Sequence, residues 1–147
     1  MHAELDRNVG PKLQRLVRQG GNESTAVRAE LLLRSGLGCD VEQLAADYDM
    51  DANEIRALIV DFNIRRMRAL SRKRPVIFTQ TMTDEDRAVI DELIRFTPEA
   101  FGFPDMRWLA DELISFVKEH GLVKGIDREY ITARLREHRH RNSFRFK

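Results

Sequence analysis

The sequence predicts an all-α fold, arranged as two small helix-turn-helix domains joined by a basic linker. Three observations carry this expectation. Apolar residues recur at three- and four-residue spacing through most of the chain, the period of a helix with one buried face. Glycine and proline interrupt those stretches at Gly20-Gly21, Gly36, Pro75, Pro98, Gly102, Pro104 and Gly121. Two clusters of positive charge each close a similar helical unit. The expected boundaries are residues 1–70 for the first domain, 71–82 for the linker, and 83–147 for the second domain with its basic tail.

In the first domain, Pro11 at a first-turn position and Gly20-Gly21 as a stop frame a short helix over residues 11–19. Ser24 or Thr25 starts a second helix, with Ala29, Leu32 and Leu33 on one face and Gly36 at its end. Asp40 is a suitable N-cap for a third helix whose inner face is Leu44, Ala45 and Tyr48. A tight turn over residues 48–51 follows, with Asp51 as the cap of a longer helix reaching Leu70. Ile55, Leu58, Ile59 and Phe62 form the buried stripe of that helix, and Asn53, Arg56, Val60 and Asn63 fall on its opposite face.

The stretch SRKRPVIFTQ (residues 71–80) has no helical period and reads as the linker. Thr83 caps the next helix, with Val89, Ile90, Leu93 and Ile94 inward. A proline- and glycine-rich connection leads to an amphipathic helix over residues 106–120, with Trp108, Leu109, Leu113, Phe116 and Val117 inward. Asp127 caps the last helix, which buries Tyr130, Ile131 and Leu135 and turns Arg128, Thr132, Arg136 and Arg139 outward. A short wing at residues 76–78 or 144–146 is the only place left for a strand.

Composition narrows the function classes. A chain of 147 residues that is 42% hydrophobic can bury a real core. Cys39 is its only cysteine, so an internal disulfide and a cysteine-rich zinc site are excluded, and a reducing cytoplasmic setting is expected. No apolar run approaches the roughly 20 residues needed to cross a bilayer. The net charge of +1 makes no global case for nucleic acid, but its distribution does. Residues 63–83 carry six bases and no acid, and residues 134–147 carry six bases with only Glu137 opposing. A solvated surface is the plainer reading of either run alone; two runs in equivalent places point to a phosphate-binding face.

Residues suited to reading base edges are Asn53, Arg56, Asn63, Arg128, Thr132 and Arg136, since arginine matches guanine and asparagine matches adenine in the major groove. Arg65, Arg66, Arg72, Lys73, Arg74, Arg139 and Arg141 are candidates for phosphate or minor-groove contact. No phosphate loop, nucleophile elbow or zinc-protease motif is present. His138 and His140 point to different faces of a helix, and Cys39 has no histidine neighbour in the sequence, so no catalytic residue, metal or cofactor is expected. The acids Asp40, Glu42, Asp47, Asp49, Asp51 and Glu54 argue against a strong DNA grip by the first unit.

The order of Arg28-Ala29, Leu31 to Leu33, Ser35-Gly36, Leu44-Ala45, Ile55-Arg56, Phe62, Arg66, Ala69-Leu70 and Arg74-Pro75 resembles the N-terminal DNA-binding region of mariner-like insertion-sequence transposases. Pro98, Gly102, Trp108, Leu109, Leu113, Gly121-Leu122, Ile126, Ile131 and Leu135 continue the likeness, which is also similar to the paired-box arrangement. The resemblance implies homeodomain-like or winged-helix-like units. Their last helices, residues 51–70 and 127–139, would enter major grooves while residues 72–75 follow the minor groove. Those transposases continue into a catalytic domain and this sequence ends at Lys147, so the expectation is a DNA-binding regulator or repressor of a phage or mobile element, not an enzyme. Two unlike units in one chain suit an asymmetric duplex site read by a monomer. The alternative is a protein-interaction module or an accessory factor of a transposition complex.

Overall fold

The computed structural model describes residues 1–19, 23–103 and 107–145. Among them the chain forms seven α-helices and two 3-10 turns, with no strand. It divides into two compact units, Met1–Lys73 and Arg74–Lys147, so the boundary falls inside the expected linker.

The first unit comprises α1 (Val9–Gln19), α2 (Glu23–Gly36), α3 (Val41–Tyr48) and α4 (Ala52–Arg65), followed by a 3-10 turn, Arg66–Leu70. Helix α1 begins two residues earlier than its proline suggests. The Asp6 carboxylate accepts the amides of Asn8 and Val9, both at 2.8 Å, and so supplies the cap. Helices α3 and α4 are joined by a three-residue connection. Asp49 takes a left-handed conformation there (φ 52°), and Asp51 then caps α4 by accepting the Asn53 amide at 2.7 Å. Leu13, Ala29, Leu32, Leu44, Ile55, Ile59 and Phe62 share one core, as their spacing predicts. Around it, Arg34 pairs with Asp47 at 2.6 Å and the Tyr48 hydroxyl donates to Glu30, tying α2 to α3.

The expected continuous helix to Leu70 is corrected: α4 stops at Arg65, because Arg66 adopts φ 57° and breaks the α ladder. The 3-10 turn that follows brings Ala69 and Leu70 into the core. Arg28 holds it in place by donating to the Ala69 carbonyl at 2.9 Å.

The second unit contains α5 (Asp84–Leu93), a 3-10 turn (Pro98–Phe101), α6 (Ala110–Glu119) and α7 (Arg128–Arg145). Its core is built from Val89, Ile90, Leu93, Phe101, Leu113, Phe116, Val117, Ile131 and Leu135. Trp108 lies just before α6 rather than within it. It is buried with its ring 5.4 Å from that of Phe101, and its indole N–H donates to the Phe96 carbonyl at 2.9 Å. Met106, where that helix was expected to begin, lies outside the described residues.

Asp86 organises the entry to this unit. It forms a capping box with Thr83, each side chain accepting the other's amide at 3.1 Å. The same buried carboxylate also accepts the amides of Lys124 and Gly125, at 3.0 and 3.2 Å. The start of α5 is thereby pinned to the loop before α7. Part of the expected linker joins this structure: Thr79 makes a parallel bridge with Gly125, and Met82 is buried. Residues 76–77 form bends rather than a strand, and α7 continues to Arg145 where the second wing was placed. No helix among the described residues is long and apolar enough to cross a membrane.

Asp86→Ala leaves several loop and helix amides without their acceptor and is expected to cost about 2–4 kcal/mol. Denaturant unfolding followed by Trp108 fluorescence measures it within the second unit alone, since Trp108 is the only tryptophan. A second expectation concerns pH. Amide hydrogen bonds from Val9 and Asn8 hold Asp6 below the usual carboxylate value, and the hydrogen bond from Arg34 does the same for Asp47. Depressed folded values mean that this stabilisation is complete above the unfolded value of about 3.9 and is lost as pH falls through the folded one. Denaturation midpoints should therefore fall on acidification below roughly pH 4, and less steeply in Asp47→Asn.

Candidate nucleic-acid interface

The outward face of α7 is built from the helix period. The Asp127 carboxylate accepts the amides of Glu129 and Tyr130 at 3.1 and 3.3 Å, which fixes the start of the helix and therefore its rotation. Ile131 and Leu135 turn into the core. Arg134 reaches Asp91 of α5 at 2.9 Å and Glu137 at 2.7 Å, and the Tyr130 hydroxyl lies 3.4 Å from the same Asp91 oxygen. Burial first, and then the Asp91 charge, push the Tyr130 hydroxyl up; the hydrogen bond to Asp91 raises Arg134. Both groups therefore keep their protons at neutral pH.

Arg128, Glu129, Thr132, Ala133 and Arg136 remain on the outside, lining an open depression of about 340 Å³. Thr132 and Arg136 are exposed, and Arg136 has no ion pair among the described residues. Arg128 meets Asp111 at 2.7 Å in a pair with both partners well exposed. Such a pair is worth little in water. Arg139 donates to the Trp108 carbonyl at 3.1 Å, and the side chain of Arg141 lies outside the described residues.

The residues proposed on the first unit are placed differently. Asn63, expected on an outward face, accepts the Glu4 amide at 2.8 Å and donates to the His2 carbonyl at 3.1 Å, so it fastens the N-terminal segment. Val60, placed on the same face, is buried. Arg56 bridges Asn53 and Glu42, both at 2.9 Å, and its side chain is only 15% exposed. Arg65 is corrected from a phosphate contact to a structural residue: its side chain is 2% exposed and it binds Asp61 at 2.8 Å. Arg72 takes the other oxygen of Asp61 at 3.0 Å. Arg66 stacks over Phe62, 4.6 Å from the ring centroid, and donates to the Glu4 carbonyl. Lys73 and Arg74 are exposed.

Asp61 is the residue that the sequence reading passed over. It stands just before the basic run and four residues from Arg65, which is ion-pair spacing on a helix. No group of three histidine, cysteine, aspartate or glutamate residues gathers into a metal site among the described residues.

No protein-family model, curated protein or solved structure matches the chain.

Removing Asp61 leaves Arg65 buried without its carboxylate. Asp61→Ala is expected to destabilise by about 3–5 kcal/mol, read from far-ultraviolet circular dichroism during denaturant unfolding of the variant beside the wild type. A loss below about 1 kcal/mol contradicts the structural assignment of Arg65 and Arg72.

Proposed function

We propose that the chain is a sequence-specific double-stranded DNA-binding protein that reads an asymmetric site through two helix-turn-helix units, α3–α4 and α6–α7. The observation that carries this reading is the outward face of α7, where Arg128, Thr132 and Arg136 stand exposed. In this reading α7 lies in a major groove. Arg128, Thr132 and Arg136 face base edges, while Arg139 and Arg141 approach the backbone. The first unit grips less tightly, since Arg56 must leave Glu42 to reach a base and the acids Asp47, Asp49 and Asp51 are exposed around it. The resemblance to mariner-like transposase DNA-binding regions supports a role in the cytoplasm as a regulator or repressor of a phage or mobile element. The acidic α3–α4 surface favours a second reading, in which the first unit docks a basic protein partner such as another component of a transposition complex.

Selection from a random duplex library tests the proposal. An enriched asymmetric motif is expected, with affinity falling steeply as salt rises. Arg136→Ala should cost about 1–3 kcal/mol and relax preference at one end of the motif. Arg56→Ala should cost less, within about 1 kcal/mol. No enrichment, together with binding that stays weak at low salt, sinks the DNA reading and leaves the protein-docking one.

A further inference from the structure

Residues 74–79 form a short protrusion anchored at both ends within the second unit. At its start the chain passes hard against Gly121, where an added Cβ would lie 2.7 Å from the Arg74 Cβ. At its end the Thr79 amide donates to the Lys124 carbonyl at 3.1 Å, and the Thr79 carbonyl accepts the Ile126 amide at 2.8 Å. Phe78 is half-buried, with the Lys118 ammonium 5.9 Å from its ring centroid. Pro75 removes one backbone freedom between these anchors. At the tip, Val76 and Ile77 are 89% and 87% exposed.

Two adjacent β-branched apolar side chains are thus held out in water by a braced loop, while Met82 a few residues on is buried. Exposed cations come with them: Arg74 precedes the pair, Lys118 caps Phe78, and Lys124 holds Thr79 through its backbone. An apolar protein surface would cover Val76 and Ile77 but offer no anion to the exposed Lys118 and Lys124. Duplex DNA answers both, with phosphates for the cations and a base stack for the apolar pair.

We propose that Val76 and Ile77 form an apolar wedge that enters the minor groove and partly unstacks a base step, with Arg74, Lys118 and Lys124 toward the flanking phosphates. This rests on the DNA-binding reading above. Pyrimidine–purine steps unstack most readily, so the wedge favours TpA or CpA and bends the duplex away from itself, toward the major groove.

The test uses the full chain and a short A·T-rich duplex with 2-aminopurine at a central TpA step and a donor–acceptor dye pair on its ends. Wild-type protein is expected to raise the 2-aminopurine fluorescence and shorten the end-to-end distance. The double variant Val76→Ser, Ile77→Ser should bind roughly tenfold more weakly and lose both signals, with its thermal midpoint unchanged. Val76→Ile, Ile77→Leu should keep them. If wild-type protein binds the duplex without either signal, or the serine variant binds and bends it equally well, the wedge is overturned while DNA binding stands. If wild-type protein fails to bind at low salt, the DNA reading falls and the wedge with it.

Discussion

The end of the first unit depends on one buried carboxylate. Asp61 receives Arg65 from the last turn of α4 and Arg72 from beyond the 3-10 turn. An uninterrupted α-helix would carry Arg72 about 16 Å along the axis from Asp61. The chain must therefore break and fold back for both guanidiniums to meet the same group. The positive φ at Arg66 provides the break, and Arg28 gathers the returning carbonyls. Two of the six bases in the run over residues 63–83 are thereby consumed as structure, and Arg66 is tied to the N-terminal segment. Sequence charge density overstates what this surface can offer to a polyanion.

The second unit uses a carboxylate of the same kind for a different end. Asp86 collects amides from the helix start and from the loop at Lys124 and Gly125, which sets where that loop runs. Asp127 then sets where α7 begins. The ion pair from Arg134 to Asp91 of α5 holds the helix in rotation. The outer face keeps Arg128 and Arg136 exposed, whereas Arg65 and Arg72 of the first unit are spent closing its fold.

Much of the architecture was legible in the sequence because apolar period and capping residues are local signals. Asp51, Thr83 and Asp127 each cap the helix expected of them, and Leu44, Ile55, Ile59 and Phe62 share a core as their spacing implies. The failures fall where a residue's partner is remote or its conformation unusual. Nothing local marks Arg66 for a positive φ, and Asn63 is engaged by residues 61 and 59 positions earlier. Trp108 has the spacing of a helical core residue, yet its indole bond to Phe96 holds it outside the helix. Of the residues expected to contact DNA, Arg128, Thr132 and Arg136 stand exposed as the helix period implies, because the Asp127 cap and the stripe of Ile131 and Leu135 are local signals.

Gly121 and Gly125 have a consequence for how this unit can be traced in other chains. A side chain at either would strike a packed neighbour: Arg74 Cβ at 2.7 Å in one case and the Thr81 carbonyl oxygen at 1.9 Å in the other. Core leucines and isoleucines can exchange among themselves with repacking; these two positions have no room to do so. Divergent descendants of this unit would keep a pair of glycines four apart, ahead of a capping aspartate and a basic helix, long after their apolar residues had drifted beyond recognition.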